Sequence, residues 1–265
     1  MIGVATSAPE IFVSIESALQ NNTILAIGNG IGSNISNIAL VFCVSILFIK
    51  KDSIYSDIPI RPYISMIVIT ITLLLLILFD SYFDVYDSMI LVIIFFISLY
   101  FFISSDNNEA KTSENKKSVL MIISLSVLAL FMLIYGSNLF ITGATDIALF
   151  FGVSSYVIGL TLTALGTSLP ELAANIQSAR KGHHDFIIGN IIGSNIFNIA
   201  IAMSLAGFIS ATSVNINDFV RDMIILALSM LIFYFIVKSN NIIIKTVYSI
   251  ALVITYILYI VFLLK

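Results

Sequence analysis

Long apolar runs separated by short polar connections make up most of this chain. Eight runs are each long enough to cross the hydrocarbon core of a bilayer as a helix, which takes roughly 17–25 residues. They are 24–49, 62–80, 88–104, 118–142, 154–180, 186–210, 219–237 and 242–264. A ninth run, 1–19, is short and carries Glu10 and Glu16. The pattern predicts an all-α polytopic membrane protein with about nine membrane segments.

Composition supports a lipid environment. The 265 residues are 59% hydrophobic and 10% charged, with a mean hydropathy of +1.09, whereas soluble domains carry about 25% charged residues. The single cysteine, Cys43, excludes an internal disulfide. Neither an HExxH metal pair nor a P-loop is present in the sequence. We therefore expect a membrane protein that is not an enzyme, has no cofactor and binds no nucleic acid.

The distribution of lysine and arginine predicts the orientation. Taken connection by connection, alternate sides hold 10 and 2 of the 12 basic residues. The positive-inside rule places the basic side in the cytoplasm. We therefore expect the 105–117 loop to be cytoplasmic and the C-terminus to lie outside.

One segment of the chain occurs twice. Residues 6–39 align without gaps on residues 167–200, 161 positions later, and 18 of 34 positions are identical. Each copy carries TSxPE in its first span and GNxxGSNxxN in its second. Five spans separate the two copies, and because five is odd the second copy must cross the membrane in the opposite direction. Inverted repeats of this kind are typical of secondary transporters that bind substrate near the midplane.

The repeat places one glutamate in each first span, Glu10 and Glu171. An ionisable group deep in a span costs roughly 2.5–3.5 kcal/mol, so such groups usually mark a pathway or a partner. If the two carboxylates meet, one divalent or two monovalent cations would neutralise them. Pro9 and Pro170 precede them and lack the helical N–H, which predicts a helix break with exposed carbonyl oxygens beside each TSxPE motif.

The second span of each copy predicts close packing and neutral oxygens. Four glycines favour a close approach of helices, as small residues do in membranes: Gly28, Gly32, Gly189 and Gly193. Four polar side chains are predicted to face the glutamates: Ser33, Asn37, Ser194 and Asn198. Calcium takes six to eight oxygen ligands, which carboxylates, carbonyls and hydroxyls can supply, and the absence of His and Cys at these positions argues against a transition metal.

These paired motifs resemble the α-repeats of the sodium/calcium exchanger superfamily, the calcium/cation antiporters, in its prokaryotic form. The resemblance implies an inverted-repeat antiporter fold in a prokaryotic inner membrane and alternating-access exchange of Ca²⁺ against Na⁺. By the same resemblance, Glu10 and Glu171 are shared by both ions, with Asn37 and Asn198 at the centre. The implied ligands are Gly3, Thr6, Ser7, Glu10 and Ser33 in copy one, and Ala164, Thr167, Ser168, Glu171 and Ser194 in copy two.

Two departures from the family pattern are visible. Potassium-dependent members carry aspartate where this chain has Asn198, which argues against potassium cotransport. Copy two is preceded by a span and a half, but copy one begins only five residues after Met1. We expect that the first helix and a half of the family is missing, through a late start assignment or a truncated gene. The chain then divides into a first half, 1–104, the loop 105–117, and an inverted second half, 118–265.

Three interpretations remain open at this point. The first is a Na⁺/Ca²⁺ antiporter, and the second is a proton-coupled antiporter of the same fold. The third is a truncated membrane protein that does not transport. Sequence alone leaves the coupling ion and the oligomeric state undetermined.

Overall fold

The computed structural model describes residues 6–49, 58–103 and 152–264, with isolated helical positions between 128 and 150. Eight helices and two short strands lie within the three continuous ranges. The helices are α1 (Ala8–Leu19), α2 (Thr23–Leu47), α3 (Ile60–Asp80), α4 (Val85–Ile103), α5 (Ser155–Lys181), α6 (His184–Ile209), α7 (Ile216–Lys238) and α8 (Ile242–Leu263).

The predicted spans are confirmed to within three residues at each end for α2 to α8. Six of these helices are long and apolar enough to cross a bilayer, and α4 is a shorter apolar helix. The predicted span 118–142 and the 105–117 loop lie outside the described residues. The all-helical prediction missed one feature: Tyr82–Phe83 (β1) pairs antiparallel with Thr212–Ser213 (β2). Two residues are too few for the alternating pattern that identifies a strand.

The helices form a centre and a periphery. In α2, 83% of the most apolar stretch is buried, against 22% in α8. Large apolar side chains cover the outer surface, among them Phe79, Phe235 and Leu258, which are 91%, 58% and 64% exposed. An exposed apolar surface of this size is unfavourable in water, whereas the acyl chains of a bilayer can cover it. The chain is an integral membrane protein with α2 at its centre.

Small residues allow α2 and α5 to cross backbone against backbone. A Cβ added at Gly28 would lie 2.3 Å from the carbonyl oxygen of Tyr156, and one at Gly32 would lie 2.2 Å from that of Leu160. The contact is reciprocal, because a Cβ at Gly159 would lie 2.2 Å from the carbonyl oxygen of Leu25. This crossing brings the polar residues of α2 against those of α5, which is how glycines act in membrane helices.

The two ends of the bundle differ in charge. At one end, Arg180 lies 5.1 Å from the centre of the Phe48 ring, and Lys245 and His184 line the same small cavity. Within the described helices this end holds five basic side chains and the carboxylate of Asp185: Arg61, Arg180, Lys181, Lys238 and Lys245. The opposite end, with the two strands, holds one basic side chain, Arg221, and six carboxylates: Glu16, Asp80, Asp84, Asp87, Asp218 and Asp222. We call the first the basic end.

Candidate cation-binding site

A kink marks each TSxPE motif. Ser168 has φ −81° and ψ 0°, and Ser7 has φ −83° and ψ 10°, both turned away from ideal helical values. Helix resumes at Leu169, with Pro170 in the first turn, where no N–H is required. The predicted helix break is confirmed in copy two, where one helix ends at Thr167 and the next begins at Leu169.

The two repeat glutamates are both buried at the interface between the copies. Glu10 and Glu171 have 0% exposure and interact electrostatically with each other. Ser7 Oγ donates to Glu171 Oε1 at 3.3 Å, while the other three carboxylate oxygens of the pair accept no hydrogen bond from the described residues. Neither glutamate forms an ion pair with a basic side chain of the described residues. Two buried carboxylates thus lie together without a basic partner in the described part of the chain.

Hydroxyl groups join the two copies around the carboxylates. Thr6 Oγ1 donates to Asn190 Oδ1, and Thr167 Oγ1 donates to Asn29 Oδ1, both at 3.3 Å. The two contacts are equivalent, because Thr6 and Thr167 occupy matching positions of the repeat, and so do Asn29 and Asn190. Thr167 Oγ1 also lies 3.2 Å from Ser33 Oγ. The two copies therefore contact each other through matching hydroxyl and asparagine side chains.

A ring of asparagines links α2 and α6. Asn34 Nδ2 donates to the carbonyl of Asn195 at 3.0 Å, and Asn195 Nδ2 donates to the carbonyl of Asn34 at 3.3 Å. Asn37 Nδ2 donates to Asn195 Oδ1 and Asn198 Nδ2 to Asn34 Oδ1, both at 3.1 Å. Each bond of the ring has its mate 161 positions away, so the interface is pseudo-two-fold. The ring engages the amide nitrogens of Asn37 and Asn198 and leaves their Oδ1 atoms without a partner among the described residues.

Both ring-forming helices widen at the same point. Asn37 opens the π-helical segment Asn37–Phe42, and Asn198 opens Asn198–Met203. A third π segment, Gly159–Thr163, lies in α5 just before Ala164. Single π turns inside α-helices often occur at functional sites. Nothing in the apolar pattern predicted them.

The remaining predicted residues differ in how they are placed. Ser168 Oγ and Ser194 Oγ are buried and have no hydrogen-bond partner in the described ranges. The carbonyl of Ala164, predicted as a ligand, accepts from Thr167 Oγ1 at 3.3 Å and from Ser168 N at 3.1 Å. Gly3 lies outside the described residues. The predicted close approach at Gly189 and Gly193 has no counterpart in this part of the structure, because a Cβ at either position would meet no described atom within 4 Å.

Five asparagines of the site were not predicted as site residues. Four are Asn29, Asn34, Asn190 and Asn195, which the repeat already contains as identical mates. The fifth is Asn175, whose Oδ1 accepts from Asn190 Nδ2 at 3.1 Å. For the first four, the available signal was that the repeat has asparagine at both matching positions, which indicates a contact across the pseudo-two-fold axis.

The donor set of the site consists of hard oxygens. Carboxylates, hydroxyls and amide carbonyls are the ligands that Ca²⁺ and other hard cations prefer, whereas transition metals prefer nitrogen and sulfur. Fourteen buried side-chain oxygens of the described residues have no hydrogen-bond partner, and seven of them belong to predicted site residues: Glu10 Oε1 and Oε2, Glu171 Oε2, Asn37 Oδ1, Asn198 Oδ1, Ser168 Oγ and Ser194 Oγ.

Comparison with known proteins agrees with this architecture. The family model described as sodium/calcium exchanger protein matches residues 1–104 and 121–265. The inner membrane protein YrbG of Escherichia coli strain K12 is 30% identical over 245 residues, which cover 88% of this chain and 75% of that protein. The putative antiporter CaxA of Alkalimonas amylolytica is 34% identical over 221 residues, covering 79% and 68%.

A solved structure shares both repeats. The sodium-calcium exchanger NCX_Mj, in crystals soaked with 10 mM Na⁺ and 10 mM Sr²⁺, superimposes with a TM-score of 0.76 at 30% identity, covering 98% of this chain and 84% of the other. The predicted inverted-repeat antiporter fold is confirmed. The chain belongs to the sodium/calcium exchanger family.

Proposed function

We propose that this protein exchanges Na⁺ for Ca²⁺ across the membrane and binds both ions between Glu10 and Glu171. The observation that carries the proposal is the pair of buried carboxylates without a basic partner in the described structure. Leaving a charge buried and unpaired costs several kcal/mol, about 3–5 where one member of a buried pair is removed. A bound cation removes this cost, so the site favours occupation by positive charge.

The number of available oxygens supports calcium and sodium as alternative occupants. The predicted site residues supply seven buried oxygens without a hydrogen-bond partner in the described structure, within the six to eight ligands that Ca²⁺ takes. One Ca²⁺ balances the two carboxylates, and so do two Na⁺ ions. Because the same carboxylates serve both ions, the two occupations exclude each other, which is the requirement for exchange.

The inverted repeat supports alternating access. Each copy contributes one kinked helix and one ring helix, and the contacts between them are duplicated across the pseudo-two-fold axis. Exchange of the conformations of the two copies would open the same site to the other side of the membrane. We further propose that 1–104 and 118–265 act as these two halves, joined by the loop 105–117.

The charge of the two ends supports the orientation. We propose that the basic end faces the cytoplasm of a prokaryotic inner membrane, as the positive-inside rule requires. The 105–117 loop, which lies outside the described residues, would then be cytoplasmic as well. Labelling of single cysteines introduced at Ser239 and Ser81, in a Cys43→Ser background, would test the orientation from each side.

The test of the function is calcium uptake into proteoliposomes that contain these 265 residues. Vesicles loaded with sodium and diluted into sodium-free buffer are expected to accumulate radioactive calcium, and vesicles without a sodium gradient are not. A pH gradient imposed without sodium serves as the control. Uptake driven by the pH gradient and indifferent to sodium would contradict sodium coupling and favour the proton-coupled interpretation.

Asn198→Asp is predicted to change the ion dependence of transport. Asn198 Nδ2 donates to Asn34 Oδ1 at 3.1 Å, and its Oδ1 is free of partners in the described residues. Aspartate adds negative charge at the centre of the site, so we expect tighter cation binding or a dependence on potassium. Uptake would be measured against sodium and potassium concentration, with the mate substitution Asn37→Asp for comparison. An unchanged ion dependence in Asn198→Asp would contradict the placement of this residue at the ion site.

A further inference from the structure

A groove opens on the outer surface of the hairpin formed by α7 and α8. Its volume is about 380 Å³, in the range of roughly 300–1,000 Å³ that is usual for sites that hold small molecules. The lining residues are Ile232, Phe235, Lys238, Ser239, Ile244 and Tyr248. The groove shares no residue with the carboxylate site.

The position of the groove suits a lipid. It lies where α7 ends at Lys238 and α8 begins at Ile242, which is the level of the membrane surface at the basic end. Phe235, Ile244 and Tyr248 are 58%, 43% and 51% exposed. The walls below the polar mouth are therefore apolar and face the acyl chains.

The mouth of the groove carries a positive charge that forms no ion pair with a described carboxylate. Lys238 Nζ donates to Tyr234 Oη at 3.2 Å and lies 5.5 Å from the centre of that ring. The two carboxylates of α7, Asp218 and Asp222, pair with Arg221 toward the other end of the helix. Ser239 Oγ accepts from Asn241 N at 3.2 Å, so its hydroxyl hydrogen can be donated outward.

We propose that this groove binds an anionic phospholipid. The headgroup phosphate contacts Lys238 and Ser239, and one acyl chain follows Phe235, Ile244 and Tyr248. Lysine at the membrane surface attracts anionic headgroups, and basic pockets between membrane helices are typical sites for them. The apolar stem of lysine lies along the groove while the ammonium group reaches the headgroup. The partner is selected by its net negative charge, since zwitterionic lipids also carry a phosphate.

The absence of tryptophan from the sequence permits a direct test. Tyr248→Trp introduces a single fluorophore into the groove at a site that is already half exposed. The variant is reconstituted in mixtures of phosphatidylcholine and phosphatidylglycerol, with either lipid brominated to quench nearby fluorescence. One surface lysine is worth about a fivefold preference for anionic lipid, so brominated phosphatidylglycerol is expected to quench several-fold more effectively than brominated phosphatidylcholine at equal fractions.

Two further variants identify the source of the preference. Lys238→Gln in the Tyr248→Trp background is expected to reduce the ratio to about one, and because Lys238 is exposed the fold should not change. Ile257→Trp places the fluorophore on the same helix, nine residues away at a lipid-exposed position, and is expected to show no preference. Equal quenching by both lipids at position 248, or a preference that survives Lys238→Gln, would overturn the proposal. Neither readout depends on transport.

Discussion

Glu171→Gln is expected to abolish sodium-driven calcium uptake while the protein remains inserted in the membrane. The substitution keeps the size of the side chain and removes one of the two negative charges of the site. Removing one member of a buried charge pair costs roughly 2–5 kcal/mol, and the same loss for a bound cation corresponds to roughly a 30- to 5,000-fold weaker affinity. Because the fold gains nothing from an unpaired buried carboxylate, stability should be unchanged or slightly higher.

Glu10→Gln is expected to have the same effect, because its carboxylate is the pseudo-symmetric mate and is equally buried. Both variants are compared with wild type by radioactive calcium uptake at matched amounts of reconstituted protein. Glu16→Gln is the matched control: Glu16 lies on the same helix α1, is exposed, and accepts a hydrogen bond from Gln20 Nε2 at 2.7 Å. Normal uptake in either buried variant, or an equal loss in Glu16→Gln, would contradict a site shared between the two glutamates.

Much of this architecture could be predicted because membrane insertion and internal repetition leave direct marks in a sequence. Apolar length alone located α2 to α8, since a helix must match the bilayer thickness. The repeat brought Glu10 and Glu171 together, because an odd number of intervening spans inverts the second copy. Both inferences depend on whole segments, the length of each apolar run and the number of spans between the copies, so no single residue changes them.

Details that depend on local backbone geometry could not be predicted. The proline motifs predicted where the helix is interrupted, but not that the interruption spans a single residue, with Pro170 in the first turn of the resumed helix, where its missing N–H costs little. The π segments at Asn37 and Asn198 follow from side-chain packing across the interface and have no signature in the apolar pattern. The asparagine ring was visible only as paired identities, whose partners the sequence does not specify.

Gly32→Ala is predicted to be the most disruptive small substitution in the described part of the chain. The added Cβ would lie 2.2 Å from the carbonyl oxygen of Leu160 and 2.7 Å from its Cα, both backbone atoms that cannot rotate away. Helix α5 must therefore move, and it carries Thr167 and Glu171. Overpacking of this kind costs about 1–3 kcal/mol, while alanine stabilises a helix by up to about 1 kcal/mol relative to glycine. We expect a lower thermal unfolding temperature and calcium uptake that is reduced at least tenfold.

The repeat supplies the control for this prediction. Gly193 is the mate of Gly32, and a Cβ there meets no described atom within 4 Å. Gly193→Ala should therefore leave stability unchanged or raise it by the helix propensity alone. Thermal unfolding in detergent and calcium uptake would be measured for both variants in parallel. Equal destabilisation by the two substitutions would show that the glycines act through the backbone freedom of their own helices. Destabilisation by Gly32→Ala alone would instead establish that the α2–α5 crossing, which brings Ser33 against Thr167, depends on the absence of a side chain at position 32.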